Sequence, residues 1–274
     1  MSTRPVERKV LLLGESWFIH SIHQKGFDSF TTSTYEEGCQ QFKAALEGLG
    51  WQVDHVPSHL IEYRMPETLR DLQKYGVVIV SDVGANTFAL TRATFVDGRS
   101  GSDRLELIKA FVAAGGGLLM VGGYLSFSGI EGKAGYGRSC LAEVLPVTIR
   151  SGDDRVERPG GVVPEVVDPV HQIVAGMPSR WPYLLGYNHL AARPGASVLA
   201  RCGIDPLLAV GAYGQGRCAA FASDLGPHWA SADFMRWEHY GSLWDRILNW
   251  LVQAATIVAP GSDGSTVLKP GQED

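Results

Sequence analysis

The chain has 274 residues, of which 45% are hydrophobic, so it can bury a full core as one large α/β domain or two smaller ones. Its formal net charge of -5 excludes a general nucleic-acid binder, because no basic stripe is available to neutralise phosphates. No apolar run is long enough to span a bilayer, and the first residues lack a signal-peptide pattern. With four cysteines and no CxxC pair, these features predict a cytoplasmic protein with free thiols and no membrane partner.

The first half of the chain alternates between strand and helix patterns. Short apolar runs predict four strands: Lys9–Leu13, Gln52–Val56, Val77–Val80 and Leu118–Val121. Helical spacing of apolar residues predicts three helices: Tyr35–Leu49, Pro66–Tyr75 and Asp103–Ala114, the last with Ser102 as its N-cap. The polar and aromatic segment 18–30 is predicted to be a loop. This alternating order predicts a parallel, doubly wound sheet.

The second half of the chain carries shorter strand patterns. They predict strands at Tyr183–Tyr187, Ser197–Arg201, Leu207–Ala212 and Arg217–Ala222. An amphipathic helix, Tyr240–Val252, is predicted to close the fold, and segments 129–138 and 151–161 are predicted to be surface loops. Because no linker is visible, we expect one domain over residues 1–255. Residues 256–274 show no pattern and predict a disordered tail.

The strand at Leu118–Val121 is bracketed by glycines and runs into a sharp turn. Ligands and reactive groups collect beyond the carboxyl ends of such strands, and several hydrolases present a nucleophile on a strand followed by a strained turn. The residue at the apex of this turn is Tyr124 rather than Cys or Ser. The chemistry of the turn is therefore predicted to differ from that of a thiol or serine hydrolase.

Four loops follow strand ends and are expected to meet at one edge of the sheet, where they supply acids such as Asp224, hydroxyls, an imidazole and indoles. The candidate catalytic residues are His228, Glu15, Tyr124 and Ser126. The candidate ligand-binding residues are Ser16, Trp17, Asp82, Asn86, Gly123 and Trp229. Each also has a structural interpretation: the acid and amide can form turns, the hydroxyls can belong to ordinary loops, and the indoles can simply pack.

The sequence offers little support for a metal or a cofactor. His20 and His23 have a spacing that metal ligands adopt, and Glu15 is close in sequence, but they lie in a predicted loop without a matching partner set. Gly14-Glu15-Ser16 is neither a phosphate-binding loop nor a dinucleotide fingerprint. We therefore expect no metal, no nucleotide and no other cofactor.

From Lys9 to about Val252 the chain resembles the class I glutamine amidotransferase-like superfamily, and within it a narrower family named for glutamine amidotransferases. The resemblance is carried by Gly14–Trp17, Lys25–Asp28, Tyr35–Gly38, Ser81–Thr87, Gly115–Gly129 and Ser223–Trp229. A looser likeness to ThuA-like proteins lies in Asp168–Met177 and Tyr213–Arg217. The resemblance implies a flavodoxin-like three-layer sandwich, with a doubly wound, mostly parallel sheet and a few antiparallel strands in the C-terminal half.

The same resemblance implies where catalytic residues would stand. True amidotransferases place Cys at the elbow after a central strand, and His with an acid after a late strand. Here Tyr124 falls at the Cys position, His228 falls near the His position, and Ala230 occupies the place of the acid. Glu15 resembles an acid found after the first strand of some relatives. Cys140 lies well past the elbow and is not expected to replace the missing thiol.

These observations leave several functions open. Because a phenol with a pKa near 10 is a poor nucleophile at neutral pH, we predict no glutaminase activity. The first hypothesis is a protein that binds a small polar ligand, such as a sugar or an amide-bearing metabolite. The alternative is a hydrolase or lyase in which His228 is the base, Glu15 its orienter or an acid, and Ser126 or Tyr124 a proton donor or nucleophile. A homo-oligomeric scaffold without a ligand is a third possibility.

Overall fold

The structure is a computed structural model that describes residues 8–253. The strands, in chain order, are β1 Lys9–Gly14, β2 Ser16–Lys25, β3 Asp28–Glu37, β4 Gln52–Val56, β5 Val77–Ser81, β6 Gly117–Val121, β7 Val147–Ile149, β8 Arg155–Val162, β9 Glu165–Val166, β10 Leu184–Asn188, β11 Leu190–Ala192, β12 Ser197–Cys202, β13 Asp205–Tyr213 and β14 Gly216–Phe221. The helices are α1 Gln40–Glu47, α2 Ile61–Arg64, α3 Leu69–Leu72, α4 Asn86–Ala89, α5 Arg92–Phe95, α6 Arg104–Ala113, α7 Leu141–Val144, α8 Ala232–Met235 and α9 Tyr240–Leu251. None of these helices has the length and hydrophobicity that a membrane span requires.

An eight-stranded sheet in the order β4-β1-β5-β6-β14-β13-β12-β9 forms the centre of the protein. The pairs from β4 to β14 are parallel, and β13, β12 and β9 add antiparallel pairs at the C-terminal edge. Two-stranded sheets formed by β10-β8, β11-β7 and β2-β3 accompany it. This topology confirms the predicted doubly wound sheet with antiparallel strands in the C-terminal half.

Helices cover both faces of the sheet. Right-handed crossovers place α1 and α6 on opposite faces, because the chain steps in opposite directions when it passes from β1 to β4 and from β5 to β6. The helix α9 packs against α1 and against the strands β6 and β14. The central strands are consequently buried on both sides, and Val78, Ile79, Leu118 and Leu119 are all 0% exposed.

The predicted loop at 18–30 is wrong, because this segment belongs to a long hairpin formed by β2 and β3. The hairpin begins with the pair Ser16 and Glu37 and turns at Gly26, which has a φ of +60°. The predicted helix at Tyr35–Leu49 therefore starts later, at Gln40. The sequence concealed the hairpin because both of its faces are exposed, so its strands lack the alternation of apolar and polar residues that a half-buried strand shows.

Other boundaries also differ from the prediction. The segment 151–161, predicted to be a surface loop, contains most of the strand β8, which pairs with β10. The predicted helix 66–75 shortens to α3, and α6 is capped by Asp103 rather than Ser102. The Oδ1 atom of Asp103 accepts N–H groups from Leu105 and Glu106 at 2.9 and 3.2 Å. The single domain over 1–255 stays a prediction, and the predicted tail at 256–274 lies outside the described residues.

Gly122, which follows β6, lies where a side chain cannot fit. A Cβ atom there would lie 2.5 Å from the carbonyl oxygen of Ala222 and 2.7 Å from Oδ1 of Asn188. We expect Gly122→Ala to lower the free energy of unfolding by about 1–3 kcal/mol, as overpacking of a rigid site does. Urea denaturation measures this change. Gly160→Ala is the control, because nothing lies within 4 Å of its Cβ position; equal losses in both variants would contradict the argument.

Candidate functional site

Three acidic residues meet at the carboxyl ends of neighbouring strands. Glu15 follows β1, Asp82 follows β5, and Asp224 follows β14 after a short extension. The charges of Asp82 and Asp224 both act on Glu15, so the three side chains form one electrostatic group, called here the carboxylate cluster. Glu15 and Asp82 have left-handed backbones, with φ of +51° and +42°. Such strain in residues other than glycine persists only where the surrounding structure holds it, and it concentrates at functional sites.

Glu15 is 4% exposed. Its Oε2 atom accepts a hydrogen bond from the hydroxyl of Ser81 at 2.5 Å. Burial, followed by the charges of Asp82 and Asp224, raises the pKa of Glu15 well above its usual value. These surroundings therefore disfavour the ionised form of the side chain.

Asp82 organises the turn that follows β6. Its Oδ1 atom accepts the N–H of Leu125 at 2.7 Å, and its own N–H donates to Oγ of Ser126 at 3.1 Å. Burial and the charge of Asp224 raise the pKa of Asp82 to about 6. Ser126 is 0% exposed, so the structure places this candidate nucleophile inside the turn, where its oxygen accepts a backbone hydrogen bond.

His228 and Asp224 form a hydrogen-bonded pair, with 2.9 Å between Nδ1 and Oδ2. The same Oδ2 atom accepts the N–H of Trp229 at 2.9 Å, which fixes the carboxylate. The His228 side chain is 46% exposed, whereas that of Asp224 is 8% exposed. The hydrogen bond from the carboxylate of Asp224 raises the pKa of His228. Because Nδ1 is held by Asp224, the atom Nε2 is left for other partners.

Tyr124 lies against His228, but its hydroxyl is directed elsewhere. The two rings meet edge to face, with centroids 4.4 Å apart. The Tyr124 hydroxyl donates to Oε1 of Glu157 at 2.9 Å, and Nε1 of Trp229 donates to Oε2 of Glu157 at 3.0 Å. The guanidinium carbon of Arg155 lies 4.6 Å from the centroid of the Tyr124 ring. Burial and the hydrogen bond to Glu157 raise the pKa of Tyr124 and keep the phenol protonated.

The sharp bend after β6 is at Gly123, whose φ is +143°, and Tyr124 is not among the described residues with positive φ. A nucleophile elbow would place its strain on the reactive residue itself. Here the turn is held by Asn188, which is fully buried. Asn188 Oδ1 accepts the N–H of Gly123 at 3.0 Å, and its Nδ2 donates to the carbonyl of Gly123 at 3.2 Å and to Asp154 at 2.9 Å.

A groove of about 460 Å³ opens beside His228 and is lined by Trp17, Glu36, Glu37, Gly38, Gln40, Gln41, Pro227 and His228. Gly38 allows Trp17 and the carboxylate cluster to approach each other closely. A Cβ atom at Gly38 would lie 2.5 Å from Oε1 of Glu15 and 2.9 Å from the Trp17 ring. Trp17 and His228 are therefore the two sequence candidates that share this groove.

The remaining candidates lie in other surroundings. Ser16 accepts the N–H of Ser58 at 2.8 Å and is 5% exposed. Trp229 is 1% exposed and packs behind His228, with ring centroids 5.4 Å apart. Asn86 is exposed and lines a different cavity of about 500 Å³, together with Cys140. The structure thus brings His228, Tyr124 and Trp229 together and leaves Asn86 apart from them.

Two residues of the site were absent from the sequence candidates. Glu157 lies on β8, in a segment that the sequence assigned to a loop, and no local pattern marks its carboxylate as the shared acceptor of Tyr124 and Trp229. Asp224 was recognised only as one acid in the last loop. Its position four residues before His228 was a usable signal, because a tight loop brings residues at this spacing within hydrogen-bond reach.

The thiols of the chain are poorly suited to nucleophilic attack. Burial is the main cause that raises the pKa of Cys39, Cys140, Cys202 and Cys218, each to about 12. A thiolate rather than a thiol is the attacking species. None of the four is among the residues that line the groove.

Comparisons with known proteins agree with the resemblance seen in the sequence. Residues 9–253 match the family model described as "Putative glutamine amidotransferase". The cytoplasmic protein STM3548 from Salmonella typhimurium is 47% identical, with a TM-score of 0.86 over 90% of this chain and 99% of that chain. The cytoplasmic protein STM1381 from Salmonella typhimurium LT2 is 48% identical, with a TM-score of 0.86 over 89% and 99%.

A ThuA-like protein from Bacteroides uniformis ATCC 8492 is 13% identical, with a TM-score of 0.53 over 91% of this chain and 94% of that chain. At this identity the likeness shows a shared fold and nothing more. No curated protein matches the chain significantly.

The hydrogen bond between Asp224 and His228 can be tested by titration. Since the carboxylate stabilises the imidazolium, we expect Asp224→Asn to lower the pKa of His228, so the ring loses its proton at a lower pH than in the wild type. NMR of the imidazole nitrogens across the titration measures the midpoint. Asp28→Asn, at the exposed tip of the hairpin, is the control and should leave that midpoint in place. An unchanged His228 midpoint in Asp224→Asn would refute the assigned role.

Proposed function

Because the chain belongs to the "Putative glutamine amidotransferase" family but carries tyrosine at the elbow, we propose that it binds a small polar metabolite and does not hydrolyse glutamine. The observation that carries this proposal is the groove beside His228, which has aromatic and polar walls and no thiol in its lining. The two Salmonella relatives are described as cytoplasmic proteins, which supports a cytoplasmic location for this protein as well.

The argument against glutaminase activity rests on Tyr124. Amide hydrolysis by this superfamily's route requires a nucleophile that loses its proton to a base, attacks the carbonyl carbon and later leaves. The hydroxyl of Tyr124 donates to Glu157 rather than to His228, and its pKa is raised rather than lowered. The phenol therefore has neither the activating base nor the acidity that the attack needs.

The lining of the groove favours a neutral ligand with several hydroxyl or amide groups. Trp17 offers an aromatic wall, while Gln40 and Gln41 provide amide groups nearby. The carboxylates of Glu36 and Glu37 disfavour anions, and no Lys or Arg lines the described groove, where His228 alone can add a positive charge and is paired with Asp224. A sugar fits this chemistry, because its C–H face packs on an indole while its hydroxyls bond to amides and carboxylates. An amide-bearing metabolite uses the same polar partners.

Ligand binding is tested with a panel of mono- and disaccharides together with glutamine and asparagine. We expect at least one of these neutral compounds to bind the wild type in saturation-transfer NMR and calorimetry, and Trp17→Ala to weaken that binding about tenfold or more, since stacking on an indole is lost. Tyr63→Ala, which removes an exposed aromatic outside the groove, is the matched control. Glutamine should release no ammonia above the blank.

Two results would overturn the proposal. One is the absence of any bound compound over the whole panel, or binding that Trp17→Ala leaves unchanged. The other is ammonia release from glutamine at an enzymatic rate that disappears in Tyr124→Phe, because this would make the phenol the nucleophile.

A second candidate function is a hydrolase or lyase that uses His228 as its base. The specific observation that favours it is the 2.9 Å hydrogen bond between His228 and Asp224, combined with the half-exposed imidazole. In this version Asp224 orients the ring, whereas Glu15, the orienter expected from the sequence, makes no hydrogen bond to His228 in the described structure. Chemical conversion of a bound compound that is lost in His228→Ala would favour this function over binding alone.

A further inference from the structure

Three metal-ligating side chains meet beneath the hairpin base, outside the carboxylate cluster. Glu37 ends β3, Cys39 precedes α1, and His55 lies on β4; one donor atom from each falls within 4.8 Å of the others. The Sγ atom of Cys39 lies 3.6 Å from Nδ1 of His55, which lies 3.7 Å from Oε2 of Glu37. Cys39 is 0% exposed, and the side chains of His55 and Glu37 are 5% and 25% exposed.

Hydrogen bonds to neighbouring residues fix the side chains of His55 and Glu37. The His55 atom Nε2 donates to the carbonyl oxygen of Gly14 at 2.9 Å, which leaves Nδ1 as an unprotonated ring nitrogen next to Glu37 and Cys39. A backbone carbonyl in this position is how metal-ligating histidines are commonly fixed. Glu37 accepts hydrogen bonds from the hydroxyl of Tyr35 and the amide of Gln40, both at 2.7 Å.

We propose that Glu37, Cys39 and His55 bind a zinc ion. Thiolate, imidazole and carboxylate together form a zinc-type donor set. Zinc bonds of about 2.0–2.3 Å in tetrahedral geometry separate their donor atoms by roughly 3.3–3.7 Å. The sulfur–nitrogen and nitrogen–oxygen separations of 3.6 and 3.7 Å match this requirement. Three protein ligands leave a fourth position for water or a ligand, as in zinc sites with exchangeable partners.

Sequence spacing could not reveal this site. The histidines with metal-like spacing, His20 and His23, lie on the exposed hairpin, whereas the trio comes from three separate elements. Glu37 is the member that also lines the groove. The zinc proposal does not depend on the proposed function, since metal content and ligand binding are measured separately.

The test uses the full-length protein purified without a metal-binding tag, then stripped with a chelator and titrated with Zn²⁺ and with Co²⁺. We expect one equivalent to bind, with a thiolate-to-cobalt charge-transfer band. Cys39→Ser should abolish the band, and Glu37→Gln and His55→Gln should each weaken zinc binding more than tenfold. Cys218→Ser, which removes another buried thiol, and His23→Ala, which removes an exposed imidazole, should leave the stoichiometry and the band unchanged.

Cys39 is buried, so Cys39→Ser can lose its fold and with it the cobalt band. Glu37→Gln changes a partly exposed side chain and therefore provides a second test, with the fold checked by circular dichroism and zinc affinity measured by calorimetry. Failure of the wild type to bind one equivalent overturns the site. So does a cobalt band that persists in Cys39→Ser, or zinc affinity that Glu37→Gln leaves unchanged in a folded protein.

A separate observation concerns the hairpin of residues 16–37, called here the arm. Its ten register pairs run from Ser16 and Glu37 to Lys25 and Asp28, and almost all of its residues are exposed. Large apolar side chains lie on it without cover, including Phe18 at 50%, Ile22 at 76% and Phe30 at 49% exposure. An isolated two-stranded ribbon is marginally stable in water, and its open edges invite another strand.

The amino-acid composition of the arm favours one kind of partner. Apart from the residues at its tip and base, the segments 16–24 and 29–35 contain no Asp, Glu, Lys or Arg. A charged partner would find no opposite charge to pair with on this surface. A second arm carries no like charge that would repel the first, and it offers the same apolar side chains for burial. We infer that two copies of this chain associate through their arms in an isologous contact, each arm covering the other.

Light scattering coupled to size-exclusion chromatography tests this inference on the full-length chain. We expect the wild type to have the mass of a dimer or of a larger even-numbered assembly. Ile22→Asp should raise the dissociation constant at least tenfold while the dissociated chain keeps its fold by circular dichroism, because Ile22 is uncovered in a single chain. Ile204→Asp is the control, since Ile204 is 88% exposed elsewhere on the surface. A monomeric wild type, or an assembly that Ile22→Asp leaves intact, overturns the inference.

Discussion

The site depends on one electrostatic constraint: three carboxyl groups share a buried position with a single half-exposed imidazole as their close cationic partner. Glu15, Asp82 and Asp224 all have raised pKa values, and burial is the first cause in each case. Full ionisation of the cluster would place three like charges in a poorly solvated space. Burial and mutual repulsion therefore disfavour the ionised forms in the cluster, and the hydrogen bond to Asp224 favours the protonated form of His228.

Strained backbone conformations also occur at this site. Glu15, Asp82 and His228 all have positive φ, as do Phe127 and Glu131, whereas Asp224 and Tyr124 do not. Strain therefore lies on two of the three residues of the carboxylate cluster and on the imidazole partner, and the bend after β6 is at Gly123. Tyr124 instead forms an aromatic and polar wall with Trp229 and Glu157.

Much of the fold could be predicted from the sequence, because short, β-branched apolar runs such as Val77–Val80 are typical of strands buried on both faces. The convergence of strand ends followed from the topology. The arm could not be predicted, because its strands cover no core and so show no period. Glu157 and the trio of Glu37, Cys39 and His55 were also missed, because long-range contacts between separate elements leave no spacing in the chain. A short stretch of sequence can identify a strand, but it does not show which distant residues that strand will contact.

The base of the arm belongs both to the groove and to the proposed zinc trio. Glu37 lies in the first register pair of the arm, Trp17 and Glu36 form the second pair, and all three residues line the groove. Glu37 also belongs to the proposed zinc trio. Glu15 and the ring of Trp17 both lie next to Gly38, so the base of the arm packs beside the carboxylate cluster. An association that immobilises the arm would therefore also fix one wall of the groove. Ligand affinity and self-association should then depend on each other, because one hairpin carries both the groove residues at its base and the apolar side chains of the inferred contact.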